Sequence, residues 1–457
     1  MSDSDLSVST VESRVYSVQK FIDEQRIGAP HRWILLICAL VMAVDAFDVF
    51  AVGKIAPAIA AGFHVRSSAM TTVFLMQQIG LAIGAFAATP LADRYGRQRM
   101  VILFLVAFGL ASLLSSFATG LQEFAILRGV AGVFLAGLLP IVIALIAESV
   151  PRRRQGTYIA IGFVAYSAGS AAGGVLAVWL LDHYGWQSVY MVGATVPLLL
   201  VPLVVLVVPE SLPFLAETGA SIERIRTVMR KLDPTCLIPE TTVFRLGVAK
   251  AIKRTRIATL FDNDHRRKTF FLWAATFLSM GCIALVAAWL PTLFQEMAGI
   301  PIKRFALYSL IGFIGGFAGS LSAGWLLDRT SATAMAPIYF SGLAVSLLLL
   351  GWLSSATVFV AAVVLFNFFQ SGGQAVLNTL MSQAYPTGIR STGLGWAGGL
   401  GRIGGIVLPL FGGFALESHY SIGTTMALIA LIPAGVVMLM LTQRAGTVTL
   451  SLGHRVI

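Results

Sequence analysis

Long apolar runs separated by short polar gaps set the plan of this chain. Residues 33–52, 69–88, 101–118, 123–147, 158–181 and 190–208 are each apolar over roughly the 17 to 25 positions that a helix needs to cross a bilayer core. A polar stretch, 209–268, interrupts the series. Six further runs follow it, at 270–293, 305–327, 336–353, 358–380, 392–416 and 422–441. The pattern predicts an all-α membrane protein of twelve transmembrane helices in two groups of six. Its predicted divisions are a terminal segment 1–32, a first bundle 33–208, a linker 209–268, a second bundle 269–441 and a tail 442–457. Inside the linker, Ile222, Ile225, Val228, Met229 and Leu232 recur at helical spacing opposite charged residues. That spacing predicts one amphipathic helix, lying along the membrane or along the inner face of the protein.

Composition agrees with this pattern. Of 457 residues, 57% are hydrophobic and 12% charged, with a mean hydropathy of +0.84. That leaves too little polar surface to cover a water-soluble globule. Basic loops resist export, so the placement of Lys and Arg sets the sidedness. The odd-numbered gaps hold only Arg66, Lys303 and Arg304, and Lys54, Arg128 and Arg402 fall within spans, which leaves 26 of the 32 basic residues on the termini and even-numbered gaps. Both termini are therefore expected on the cytoplasmic side. The net charge of +11 follows from this bias and needs no nucleic-acid partner. The first 32 residues are polar and do not read as a cleavable signal peptide. Cys38, Cys236 and Cys282 lack metal-ligand spacing and read as reduced thiols. With no nucleophile, metal cluster or cofactor loop in view, neither enzymatic activity nor a cofactor is expected.

The two groups of spans repeat. Leu91-Ala92-Asp93-Arg94 after the second span matches Leu326-Leu327-Asp328-Arg329 after the eighth, 235 positions later. Glu148 and Pro151 fall on Gln383 and Pro386 at the same offset of 235. One shift shared by two separate matches implies a six-plus-six duplication, whose halves can enclose a cleft that opens alternately to either side.

A few polar residues interrupt the apolar spans. Asp45 and Asp48 stand three apart on one face of the first predicted helix, roughly 18 to 23 Å from its start and so near mid-membrane. Buried carboxylates at that depth need a partner, water or a proton, and a pair favours one protonated member, as a proton carrier requires. A structural ion pair or a capped kink is the alternative. Arg402 lies about 15 Å into the eleventh span, where it can grip a carboxylate or neutralise an aspartate between cycles. Around it Gly393, Gly395, Gly398, Gly399, Gly401, Gly404 and Gly405 permit close helix approach or local unwinding. Arg128, a turn or two inside the fourth span, suits either a proton relay or simple snorkelling to the interface. Lys54 sits 180° from Asp45 and 120° from Asp48 on an ideal wheel, which favours snorkelling to the outer interface. Asn367, Gln370, Gln374 and Asn378 form one amide stripe on the tenth span, suited to a substrate carboxylate, hydroxyl or carbonyl, or equally to helix–helix bonding. Phe47, Phe50, Tyr166 and Phe366 are the aromatic candidates for the same cavity, although packing is the default for any one of them.

The segment Thr89-Pro90-Leu91-Ala92-Asp93-Arg94-Tyr95-Gly96-Arg97-Gln98-Arg99 resembles the loop signature G-x-L-A-D-R-x-G-R-R/K of the major facilitator superfamily, with Thr89 and Gln98 as departures. Gly324 to Arg329 keeps the glycine of that signature without its basic tail. Arg128 with Gly132 resembles the family's fourth-span motif, and Pro209-Glu210-Ser211-Leu212-Pro213 its sixth-span ending. More narrowly, Asp45-Ala46-Phe47-Asp48, and the stretch from Tyr385 through Arg390 and Gly393 to Gly401-Arg402-Ile403-Gly404-Gly405, resemble the aromatic acid:proton symporter family, from which Ala46 and Lys54 depart. The resemblance implies the major facilitator fold, proton coupling at Asp45 and Asp48, and anion handling at Arg402. It also implies that Asp93 pairs with arginines to hold the halves together in one state. Arg94, Gly96, Arg97, Glu148, Asp328, Arg329 and Arg390 join that expected gate.

The expected function is proton-driven import of a small benzoate- or hydroxybenzoate-like carboxylate by alternating access, in a bacterial inner membrane, by a monomer. Proton coupling is assigned to Asp45, Asp48 and Arg128, and substrate binding to Arg402, Asn367, Gln370, Gln374, Asn378 and Phe47. Two rivals share the scaffold: a carrier of another organic anion or an exporter of amphiphilic compounds, and a sensor that binds a solute without moving it. A sensor has little need of an acidic pair at mid-membrane.

Overall fold

The computed structural model describes residues 15–234, 243–245, 260–261, 266–352, 356–385 and 390–453. Cys236, most of the linker beyond residue 234, the stretch 386–389 and the Arg390 side chain lie outside the described residues. A short helix, α1 (Val18–Glu24), precedes the first span, α2 (Ala29–Gly62). The first half continues with α3 (Met70–Tyr95), α4 (Arg97–Ser116), α5 (Leu121–Ser149), α6 (Arg152–Tyr184) and α7 (Trp186–Val207). Then come α8 (Leu212–Glu217) and α9 (Ile222–Leu232). The second half holds α10 (Arg266–Ala298), α11 (Ile302–Leu327), α12 (Ala332–Gly351), α13 (Ala356–Ala384), α14 (Arg390–Val407), α15 (Leu410–Glu417) and α16 (Ile422–Gly453). Among the described residues, twelve helical segments are long and apolar enough to span a membrane, with α14 and α15 making the eleventh together.

Several helices run further than hydropathy alone predicts. At about 1.5 Å per residue, the 34 residues of α2 reach roughly 51 Å, well past a hydrocarbon core. The helix starts at Ala29 because Gly28 is extended, Pro30 fits the first turn and His31 Nδ1 accepts the Gly28 N–H at 3.3 Å. The segment 89–99 is not a loop. Helix α3 continues to Tyr95, Gly96 turns the chain at φ +105°, where a side chain would be strained, and α4 starts at once. An unforeseen parallel pair of strands joins β1 (Val15–Ser17) to β2 (Val243–Arg245), tying the start of the chain to the linker. The amphipathic helix is α9. It buries Ile225, Val228, Met229 and Leu232 in the first half's core and leaves Ile222 exposed.

The duplication is written into the packing. A side chain at Gly80 or Gly84 of α3 would meet the backbone carbonyl of Gly129 or Val133 on α5. One at Gly315 or Gly319 of α11 would meet the carbonyl of Val364 or Phe368 on α13. The two contacts of the first half thus recur in the second at an offset of 235 residues. Lipid supplies no hydrophobic drive between helices, so such glycines matter: they let backbones approach and gain dispersion contact.

The halves cross where α2 meets α10. A Cβ on Gly53 would strike the Ala287 carbonyl. Pro57 and Pro291, each four residues on, deprive those two positions of their helical donors. Two faces can be named without reference to a membrane: the terminal face, which bears α1 and the start of α2, and the distal face opposite. Polar contacts between halves gather toward the distal face. Ser67 donates to Glu296 at 2.9 Å, Lys303 pairs with Asp182 at 2.8 Å, and deeper in, Gln78 donates to the Gly405 carbonyl at 2.8 Å.

Candidate functional site

Between the halves lies a cavity of about 700 Å³, walled by α2, α6, α10, α11 and α13. Its aromatic surface includes Phe50, Tyr166, Phe305 and Phe366, and its polar groups include Lys54, Ser167, Ser309, Asn367, Gln370 and Gln374. A wall that is mostly apolar with a few directed polar groups suits a small amphiphilic solute.

Most of the amide stripe is already engaged. Asn367 donates to the Val363 carbonyl at 2.8 Å, and Gln374 accepts from Ser279 at 3.0 Å while donating to Asn378 at 3.2 Å. Asn378 is not part of the cavity wall and acts on it through Gln374. Gln370 is the exception, because its Oε1 is buried with no partner among the described residues.

The acids lie behind this wall. Asp48, only 2% exposed, is paired with the fully buried Arg128. The same guanidinium donates to Ser112 Oγ at 3.3 Å and stands 5.0 Å above the ring of Tyr190. Four helices thus supply one buried cluster: α2, α4, α5 and α7. Arg128 does not snorkel. Its guanidinium is held by Asp48 instead, and Ser112 and Tyr190 are members of the cluster that sequence reasoning did not single out. Asp45, one turn before Asp48, is buried and makes no hydrogen bond or ion pair among the described residues. It is close enough for its charge to act on Tyr166, which lines the cavity.

Three expectations need correction. Arg402 is not part of the cavity wall; it is half-buried between the halves, where Nη1 donates to the Leu81 carbonyl of α3 at 3.4 Å. Its depth was legible in the sequence, but its rotation about α14 was not. Phe47 also misses the cavity, packing instead into the space left by Gly173 and Gly193, while Phe50 reaches the wall. Lys54 does not snorkel outward. At 9% exposure it lines the cavity and donates to the Ser170 carbonyl at 2.9 Å. Eight residues remain to its helix end, about 12 Å of rise, and the crossing with α10 encloses it.

At the terminal face, Arg97 pairs with Asp93 at 3.2 Å and with Glu148 at 3.1 Å, tying α3, α4 and α5 together. Glu148 is half-buried beside Arg97, and Glu210 Oε1 accepts the Gln98 N–H at 3.1 Å, which fixes the start of α4 to the end of α7. Arg94 lies over Tyr95 and Arg329 over Trp325, so these two arginines pack on aromatic neighbours within their own half. Asp328 is exposed just past α11. The pairs made by Arg97 therefore stay inside the first half in this conformation, rather than bridging the two.

Comparison with known proteins fits this architecture. A family profile described as Major Facilitator Superfamily matches residues 38–409 and 314–451. The chain is 34% identical to a gallate transporter of Pseudomonas putida over 88% of its own length and 89% of that protein's. It is 28% identical to the 4-hydroxybenzoate transporter PcaK of Acinetobacter baylyi, over 93% of this chain and 95% of that one. Among solved structures, the D-xylose-proton symporter shares the fold at a TM-score of 0.68 and 15% identity, covering 90% of this chain and 97% of that one. The inward open conformation of the xylose transporter XylE from E. coli matches equally, at a TM-score of 0.68 and 14% identity over 90% and 95% of the two chains. The protein is a membrane transporter and not an enzyme, and it belongs to the Major Facilitator Superfamily.

Proposed function

We propose that this protein imports a small aromatic carboxylate together with protons, by alternating access, across a bacterial inner membrane with both termini in the cytoplasm. The observation that carries the reading is the interhalf cavity of about 700 Å³, walled by aromatic rings and amides, with buried acids directly behind it. The names of the relatives, gallate and 4-hydroxybenzoate transporters, point to the same substrate class. The excess of basic residues on the terminal face supports the orientation.

In this reading the terminal face is cytoplasmic and the contacts at the distal face are the closed outer gate. Asp48 and Arg128 neutralise each other while the cavity is empty. A proton reaching the acid pair frees charge in the cluster, and the shift passes along α2 to Phe50 and Lys54 in the wall. Asp45 has no cation partner among the described residues, so a proton removes an uncompensated charge at mid-membrane depth. Asp93, Arg97 and Glu148 form the half-gate that meets the second half when the cytoplasmic side closes, with Asp328, Arg329 and Arg390 as its counterparts.

Vesicles containing the protein, loaded at high pH and diluted into labelled 4-hydroxybenzoate at low pH, test this. Accumulation above the external concentration that a protonophore collapses is the expected result. Uptake that is indifferent to the pH gradient overturns the coupling, and no uptake of any aromatic acid overturns the substrate class.

A further inference from the structure

Lys54 is a buried cation without an anion. It is nine-tenths buried, it lines the cavity, and among the described residues it forms no ion pair. One of its three N–H donors reaches a neutral carbonyl, that of Ser170. A charge held this way in low dielectric costs several kcal/mol unless something completes it. Gln370, also in the wall, carries the reverse deficiency: its Oε1 is sealed from the cavity with no donor among the described residues, and a turn of the side chain would bring it to the open space. Neither partner is supplied by the other amides, which are hydrogen-bonded within the protein. The rings of Phe50, Tyr166 and Phe366 line the same space.

Resting on the reading of the chain as an aromatic acid carrier, we propose that Lys54, rather than Arg402, is the counter-ion of the substrate carboxylate, and that Gln370 accepts a hydroxyl on the substrate's ring. Both missing partners are then supplied by one molecule, with its ring between the aromatic side chains. Arg402 keeps its place between the halves, on the Leu81 carbonyl.

Binding to the purified full-length protein, measured calorimetrically with 4-hydroxybenzoate, 4-hydroxybenzamide and benzoate, tests both parts. The wild type should prefer the carboxylate over the amide by at least about thirtyfold, the scale of a buried charge pair. Lys54→Gln should bring that preference to within about threefold while leaving affinity for the amide near its original value. Gln370→Leu should remove the preference for 4-hydroxybenzoate over benzoate and keep that for carboxylate over amide. A Lys54→Gln protein that still discriminates, or an Arg402→Gln protein that does not, overturns the assignment. Wild-type protein that binds none of the three probes overturns the aromatic-acid reading itself. Should Lys54→Gln fail to fold, wild-type protein still decides. An amine-acylating reagent should label Lys54, and 4-hydroxybenzoate should protect it where 4-hydroxybenzamide does not. Absence of labelling or equal protection by both contradicts the proposal.

Discussion

At the scale of single residues, the charges in the first half fall into two kinds. Arg128 and Asp48 are mutually compensated, with Ser112 and Tyr190 completing the surroundings. Asp45 and Lys54 are buried without counter-ions among the described residues; Lys54 lines the cavity, whereas Asp45 is on the opposite side of α2, near enough to Tyr166 for its charge to be felt there. Removing one partner of a compensated pair strands the other. Arg128→Met is therefore expected to destabilise the protein by about 3–5 kcal/mol. Adding Asp48→Asn should restore much of that loss, because no stranded charge remains. Denaturation in detergent measures both, and a double variant no more stable than Arg128→Met contradicts the pairing. The sequence marked Asp48 and Arg128 as unusual by depth alone. It misjudged Lys54 because a helical wheel gives angles within α2 but not which sector faces the second half. The position of Arg402 off the cavity wall escaped it for the same reason.

At the scale of elements, glycine positions decide which helices touch. Hydropathy located all twelve spans but not their ends, since helices extend beyond the bilayer where polar residues hydrate the extra turns. The contact of α3 with α5, and of α11 with α13, depends on backbone-to-backbone approach at Gly80, Gly84, Gly315 and Gly319. Gly84→Val and its counterpart Gly319→Val should each cost about 1–3 kcal/mol by forcing the helices apart. Gly398→Ala in α14, where a side chain would meet nothing within 4 Å, should be neutral or slightly stabilising. Thermal unfolding in detergent checks the set, and a Gly84→Val protein as stable as the wild type contradicts the close packing. The repeat was legible from Asp93 and Asp328, yet its deeper expression in these contacts was not. Val364 and Phe368 bear no likeness to Gly129 and Val133, because only their carbonyls are used.

At the scale of the whole molecule, two halves with matching internal packing meet along a single seam. That seam is fastened at the distal face by Ser67 with Glu296 and by Asp182 with Lys303, whereas Arg97 at the terminal face is engaged within its own half. Exposed pairs of this kind add little to stability. In the proposed cycle a proton on the buried acids drives substrate through the cavity. Gradient-driven accumulation and gradient-free exchange of labelled 4-hydroxybenzoate by Asp48→Asn vesicles test it most directly. The account predicts that accumulation is lost while exchange of external for internal substrate persists, because a permanently neutral residue permits the loaded transition without carrying a proton. Accumulation at the wild-type level in Asp48→Asn would contradict it.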